Sequence, residues 1–137
     1  MRVKKLSSAG KLPFKRGFKL GWFYKAAKYI TKSPNAAAAF VSTNSITQGA
    51  HLQKFWNYVF DFNVRISFAY TTFKWSNNAK NNAGVSVVVI GLQHTSSKNI
   101  KYIISDGLKI EMDVINPSLS IKSVSTTVLS ILMRMEV

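Results

Sequence analysis

Two stretches of the sequence carry side chains that could bind a polar or aromatic ligand. The first stretch follows a predicted strand and precedes a predicted helix, a setting suited to a polar or anionic ligand. From spacing alone, capping of that helix by Ser45 or Thr47 is the simpler explanation. The candidate ligand-binding residues of this pocket loop are Asn44, Ser45, Thr47, Gln48 and Gly49.

The second stretch presents two large aromatic side chains within polar sequence. Phe73 and Trp75 precede a segment, residues 77–82, that contains four asparagines. If they are exposed, each ring could stack on a nucleic-acid base, an interaction that contributes about 1–3 kcal/mol. Packing in the hydrophobic core is the simpler alternative for both rings.

The rest of the composition excludes most self-contained enzymes. The 137 residues include no cysteine, which excludes disulfides, thiol nucleophiles and cysteine-ligated metals. The two histidines, His51 and His94, have no companions at ligand spacing, so a multi-histidine metal site is excluded. Five acidic residues leave little room for a carboxylate pair. We therefore expect neither a hydrolase nor a metalloenzyme, and no bound metal.

The charge is strongly positive and unevenly distributed. The formal net charge is +14, and residues 1–60 hold eleven Lys and Arg but no Asp or Glu. Such a segment attracts polyanions, with an affinity that falls as salt rises. A solvated tail or a transit peptide are the alternatives for this basic arm. The candidate DNA-phosphate contacts are Lys15, Arg16, Lys19, Lys74 and Lys80.

Hydrophobic periodicity predicts two helices and several strands. Apolar residues at helical spacing predict helices at about 19–31 and 48–61, and a short apolar run predicts a buried strand at 36–41. Alternation from Val64 predicts a strand, followed by a loop from Phe73.

The second half of the sequence predicts further strands. A β-branched run over 85–92 predicts a central strand buried on both faces, and Asp106-Gly107 predicts a C-terminal hairpin. The strand–helix–strand unit implies a parallel pair with a crossover helix, and residues 72–84 suit an antiparallel hairpin. The fold class is thus α/β: a partial doubly wound mixed sheet that ends in an antiparallel strand pair, with a C-terminal β-hairpin. Ligands of such sheets bind beyond the carboxyl ends of the strands, where both candidate stretches lie.

Three strings of residues resemble one enzyme family. They are residues 40–49 (FVSTNSITQG), 66–77 (ISFAYTTFKWSN) and 85–91 (VSVVVIG). The family is the MmeI-like S-adenosylmethionine-dependent adenine-N6 DNA methyltransferases, which are usually fused to restriction functions. The resemblance begins near residues 21–27 and is clear to about residue 93, with a weaker echo at 115–119.

The resemblance implies a fold, a reaction and two binding roles. It implies a Rossmann-like methyltransferase sheet in which an antiparallel strand lies between two others. The reaction is methyl transfer from S-adenosylmethionine to the adenine amino nitrogen. Residues 44–49 correspond to the family segment beside the cofactor and target pocket. Phe73, alone or with Trp75, resembles the aromatic residue that stacks on the flipped adenine.

Departures from the family pattern point to a fragment. The family's glycine-rich cofactor motif and its Asn-Pro-Pro-aromatic catalytic motif are absent from this sequence. Ala50 stands where the family usually has Glu, Tyr70 and Thr71 where it has His and Arg, and Asn78 where it has Glu. We therefore assign no catalytic residue. We expect neither methyl transfer nor S-adenosylmethionine binding by this chain alone.

The sequence leaves the biological role open between several readings. The chain could be a split-gene subunit that pairs with a separate catalytic half, or a pseudogene product, which the lost motifs favour. The alternatives are a non-enzymatic basic nucleic-acid-binding protein and a small scaffold protein. We expect a basic arm at 1–18, a partial methyltransferase domain at 19–93 and a hairpin with tail at 94–137. DNA is the expected partner, in the cytoplasm, and no apolar run is long enough to cross a membrane.

Overall fold

Two helices alternate with the first two strands, and three further strands follow, in the predicted order. The computed structural model describes residues 18–76 and 84–121. The elements are α1 (Phe18–Lys32), β1 (Ala37–Thr43), a 3-10 turn (Asn44–Thr47), α2 (Ala50–Phe60), β2 (Val64–Trp75), β3 (Val85–His94), β4 (Lys101–Ser105) and β5 (Leu108–Met112). Both predicted helices, the strand over 85–92 and the hairpin at Asp106-Gly107 are confirmed.

The described strands form one mixed sheet in the order β1-β3-β2-β4-β5. β3 is antiparallel to β1 and to β2, whereas β4 is parallel to β2. β1 and β2 run in the same direction, but they are not the adjacent pair that the strand–helix–strand pattern predicted. β3 lies between them because it pairs antiparallel with both strands. An antiparallel strand between two others is the arrangement that the family resemblance implied.

β1 is less buried than its apolar sequence predicted. Its side chains alternate between exposed positions, such as Ala39 and Val41, and covered positions, such as Phe40 and Ser42. The prediction of a fully buried strand was wrong because β1 lies at one edge of the described sheet. The described helices cover only one of its faces.

β2 extends further than the alternation in the sequence indicated. The predicted loop from Phe73 was wrong at its start, because Phe73, Lys74 and Trp75 pair with Val87, Ser86 and Val85 of β3. A register shift between Tyr70 and Phe73 interrupts the alternation of side chains between the two faces. The sequence pattern therefore does not reveal the second half of the strand. Residues 77–83, which complete the predicted loop, lie outside the described residues.

The hydrophobic core lies between the two helices and one face of the sheet. Phe23 of α1 packs against Phe40 of β1 and Trp56 of α2, with ring centroids 4.8 and 5.4 Å away. Burial of each such side chain contributes roughly 1.5–3 kcal/mol. The other fully buried side chains of this core include Phe55, Ile30, Ile66, Ile90, Leu92 and Ile103.

The opposite face of the sheet is not covered by either described helix. Gly91 of β3 lies on this face, opposite Phe68 of β2. The Phe68 ring lies over Gly91 and stacks on Tyr102 of β4, with ring centroids 5.7 Å apart. A Cβ atom at position 91 would overlap the Phe68 ring, so this close approach requires glycine.

We predict that Gly91→Ala destabilises the fold by about 1–3 kcal/mol, because the new methyl group displaces the Phe68 ring. Urea denaturation measures this loss. Gly84→Ala is the matched control: its Cβ would lie 3.7 Å from the nearest atom, and we expect a change within about 0.5 kcal/mol. In a Phe68→Ala background the effect of Gly91→Ala should shrink, and an equal loss in both backgrounds would contradict the overlap.

Candidate functional site

The two candidate stretches lie at the same end of the sheet. β1 and β2 run in the same direction, so their carboxyl ends meet there, as the sequence predicted. Thr43, the last residue of β1, pairs with Val87 of β3, and Val87 pairs with Phe73 of β2. The pocket loop therefore starts two strands away from the Phe73 ring.

The hydroxyl groups of the pocket loop stabilise the 3-10 turn. The Thr47 hydroxyl donates to Asn44, whose carbonyl oxygen and Oδ1 lie 2.8 and 2.9 Å away. The Ser45 and Thr43 hydroxyls lie 2.9 Å apart. The N-cap of α2 is Gly49, which makes no side-chain capping bond, so the predicted capping by Ser45 or Thr47 was wrong.

Gly49 and Gln48 join the turn to α2 and are exposed. The φ angle of Gly49 is 98°, a backbone conformation that side chains with a Cβ rarely adopt. On the other side of the turn, the Trp56 indole N–H donates to the Ile46 carbonyl over 3.0 Å. This hydrogen bond joins the pocket loop to α2, whereas the Gln48 side chain is exposed to solvent.

A cavity of 590 Å³ lies beside the pocket loop, and it brings a distant segment to the loop. Thr47 and Gly49 line it, together with Arg65 and residues 114–118. This second segment contains the weaker family echo. The Asn116 side chain accepts the Ser118 backbone N–H over 3.0 Å, so it stabilises its own turn.

Phe73 and Trp75 lie together on the face of the sheet that the helices do not cover. Their ring centroids are 6.5 Å apart at 48°, and the side chains are 38% and 56% exposed. Neither ring belongs to the buried core, so the core-packing alternative does not describe them. Lys74 alternates with the two rings and therefore lies on the opposite face. Neither ring lines the 590 Å³ cavity beside the pocket loop.

The other predicted phosphate contacts are less fully placed. Lys15, Arg16 and Lys80 lie outside the described residues, and Lys19 lies in the first turn of α1.

His94 and the acidic residues within 18–76 and 84–121 form no metal-binding cluster. His94 lies at the end of β3, where its Nδ1 is 2.7 Å from the Ser96 hydroxyl in a surface turn. No group of three or more metal-ligating side chains occurs within residues 18–76 and 84–121. No helix in these ranges is long and apolar enough to cross a membrane. Tyr58 on α2 is not one of the candidate site residues. Its burial, together with the neighbouring Tyr24, raises its pKa.

One aromatic cluster was missed by reasoning from sequence. Phe68 lies between Tyr70 and Tyr102, and Lys109 Nζ lies 4.3 Å from the centre of the Tyr102 ring. The Thr71 hydroxyl reaches Ser105 over 3.1 Å and joins β2 to β4 in the same region. The alternation of residues in β2 predicted that Phe68 and Tyr70 lie on the same face of the strand. It could not predict that β2 pairs with β4.

Comparisons with known proteins agree on one class. Residues 5–105 match the family model of the MmeI DNA-methyltransferase domain. DNA methyltransferase A of Bacillus subtilis (strain 168) is 48% identical over 99 residues, which are 72% of this chain and 11% of that protein. The structure of the Type IIL restriction-modification enzyme MmeI in complex with DNA is similar with a TM-score of 0.66 at 37% identity. That match covers 74% of this chain and 14% of the MmeI chain.

The sheet order and these matches define the protein as part of a DNA-methyltransferase domain of the restriction-modification class. The chain belongs to the MmeI DNA-methyltransferase family. It spans 11% of the length of the curated relative and 14% of the solved one.

The exposure of Trp75 gives a direct prediction. Trp75→Ala should change the free energy of unfolding by no more than about 1 kcal/mol, because the ring contributes little to the core. Trp56→Ala, which removes a ring that is 1% exposed, should destabilise the fold by about 3–5 kcal/mol. Urea denaturation compares the two variants. Equal losses would show that Trp75 has a structural role.

Proposed function

We propose that this chain is a portion of a site-specific DNA adenine-N6 methyltransferase and that it does not transfer methyl groups by itself. Family membership supports DNA methylation as the ancestral reaction. The small share of each relative that the chain spans supports its status as a portion. The adenine target and the S-adenosylmethionine methyl donor come from the family resemblance of the sequence.

The described residues do not by themselves fit a complete S-adenosylmethionine site. The hydroxyls of Thr47 and Ser45 are engaged within the turn, and the elements around the pocket loop, β1, the turn and α2, contain no carboxylate that could hold a ribose. In the intact enzyme the bound cofactor would supply the methyl group. We assign to the pocket loop, with the exposed Gln48 and Gly49, one wall of the target pocket.

The exposed ring pair is the part of this chain suited to the target base. A flipped adenine needs an apolar surface to replace the stacking that it loses in the duplex. Phe73 and Trp75 offer two neighbouring rings at the pocket end of the sheet, on the face that the described helices do not cover. We propose that Phe73 stacks on the flipped base and that Trp75 supports it.

The open edge of β1 is the observation that carries the proposal of an incomplete enzyme. β1 has seven residues without a charge or a proline, and no described strand pairs with its outer edge. Soluble proteins usually protect such an edge with charges, bulges or a covering element. The opposite edge, β5, carries Lys109 and Glu111.

A buried hydroxyl on the same strand supports this view. Ser42 is 8% exposed, yet its Oγ has no hydrogen-bond partner among the described residues. A buried polar group without a partner is destabilising by roughly 1–3 kcal/mol. We propose that a strand from a separate chain with the catalytic half pairs with β1 and reaches Ser42. In a pseudogene product this partner would be missing.

Complementation tests the proposal. We predict methylation of duplex DNA when this chain is co-expressed with the part of Bacillus subtilis DNA methyltransferase A that precedes its matched residues, and none with either chain alone. Methyl transfer from labelled S-adenosylmethionine and native mass spectrometry measure activity and complex formation separately. Activity of this chain alone would contradict the proposal, and a well-formed but inactive complex would contradict the split-enzyme version.

Paired variants locate the contact. Ala39→Lys with Val41→Lys places charges on exposed positions of β1 and should abolish the complex. The matched control, Leu108→Lys with Glu111→Gln, also raises the charge by two at exposed positions of the opposite edge strand and should leave the complex intact. A complex that tolerates both β1 substitutions would place the contact elsewhere.

A second candidate function is favoured by the charge. A non-enzymatic basic protein would need a cationic surface to bind nucleic acid, and the described helix α1 provides one. In this reading residues 1–18 form a basic arm, residues 19–93 form the folded domain, and 94–137 add the hairpin and tail. Both candidate functions place the protein with DNA in the cytoplasm.

A further inference from the structure

The exposed surface of α1 consists of lysines and aromatic residues alone. Within residues 20–32, five side chains are exposed. These residues, which we call the α1 surface, are Trp22, Lys25, Lys28, Tyr29 and Lys32. The opposite side of the helix is held in the core by Phe23, Ala27 and Ile30, each at most 1% exposed.

The three lysines project from one side of the helix. Their separations of three and four residues place successive charges about one turn apart, and Lys25 and Lys32 lie about 10 Å apart along the axis. Lys25 Nζ lies 5.1 Å from the centre of the Trp22 ring. This cation–π contact favours a defined position for the charge.

The charge of the α1 surface is not balanced by acidic residues of its own or adjoining elements. Neither α1 nor β1 nor α2 contains Asp or Glu, and the first carboxylate of the sequence is Asp61, just after α2. Lys54 on α2 adds another exposed positive charge. A polyanion is therefore the partner whose charge complements this surface.

Trp22, at the N-terminal end of the α1 surface, lies near the candidate site. A cavity of 380 Å³ is lined by Trp22 as well as by Thr43 and Val87. Thr43 leads into the pocket loop, and Val87 pairs with Phe73. The Trp22 end of α1 therefore lies at the same end of the sheet as the pocket loop and the rings.

We propose that the α1 surface contacts the phosphate backbone of duplex DNA through Lys25, Lys28 and Lys32. This proposal rests on the proposed function in one respect, the choice of DNA as the polyanion. An anionic membrane fits less well, because a helix that binds a membrane surface must insert its apolar side, and that side of α1 is buried in the core. These lysines are additional to the phosphate contacts that the sequence indicated.

Salt dependence of DNA binding tests the proposal on the full 137-residue chain. The slope of log affinity against log salt is negative, and each lysine–phosphate contact that is removed makes it less steep by about 0.9. We predict that Lys25→Gln, Lys28→Gln and Lys32→Gln together reduce the slope by about 2.7, and each alone by about 0.9. Fluorescence anisotropy with a short labelled duplex of arbitrary sequence, between about 50 and 200 mM NaCl, measures the slope.

A control with the same change in charge separates a local contact from general attraction. Lys98→Gln, Lys101→Gln and Lys109→Gln alter three lysines before or within the β4–β5 pair, which lies at the edge of the sheet opposite β1, and should leave the slope within about 0.9 of the wild-type value. Equal reductions in both triple variants would overturn the proposal, as would no reduction in the α1 variant. Circular dichroism checks that each variant folds. If a triple variant does not fold, the slope is measured with the single variants instead.

The outcome is independent of methyl transfer. If complementation fails but the α1 variants change the slope as expected, the DNA contact stands and the enzyme proposal falls. If complementation succeeds and the slope does not change, the reverse holds. Tighter binding of the chain to vesicles with anionic lipid than to the duplex at equal salt would also overturn the choice of partner.

Discussion

The pairing of β3 with two neighbours is the constraint on which the rest of the structure depends. β3 pairs with β1 on one side and with β2 on the other, and it contributes Val88, Ile90 and Leu92 to the core. Because both neighbours are antiparallel to β3, they share a direction and their carboxyl ends meet. This geometry places the pocket loop and the ring pair at one end of the sheet. The helices then need to cover only one face.

Much of this fold follows from local patterns in the sequence. The apolar stripes of α1 and α2 have clear helical periods, and Asp106-Gly107 defines the hairpin by turn chemistry. Strand order does not follow from local patterns. A parallel pair with a crossover helix and an inserted antiparallel strand have the same sequence of elements, and long-range pairing decides between them. Periodicity alone predicted the adjacent parallel pair, whereas the family resemblance implied the inserted antiparallel strand that the structure has.

The candidate site shows where such reasoning stops. The types of Ser45 and Thr47 correctly indicated residues that hydrogen-bond near a helix start, but not their partners. The same residue types at the same spacing can cap a helix or stabilise a turn. Only the backbone conformation at Gly49 distinguishes the two roles. For Phe73 and Trp75 the ambiguity lay in burial, because an aromatic residue in a strand can lie on either face. The register shift after Tyr70 set their face.

The edge of β1 that no described strand covers also bears on the fate of the polypeptide in a cell under the split-enzyme proposal. An unprotected strand edge is a template for pairing with another extended chain. Without its proposed partner, the chain would expose this edge, and chaperones and proteases would act on it. In that proposal the chain would behave as an orphan subunit, whose abundance follows the synthesis of its partner.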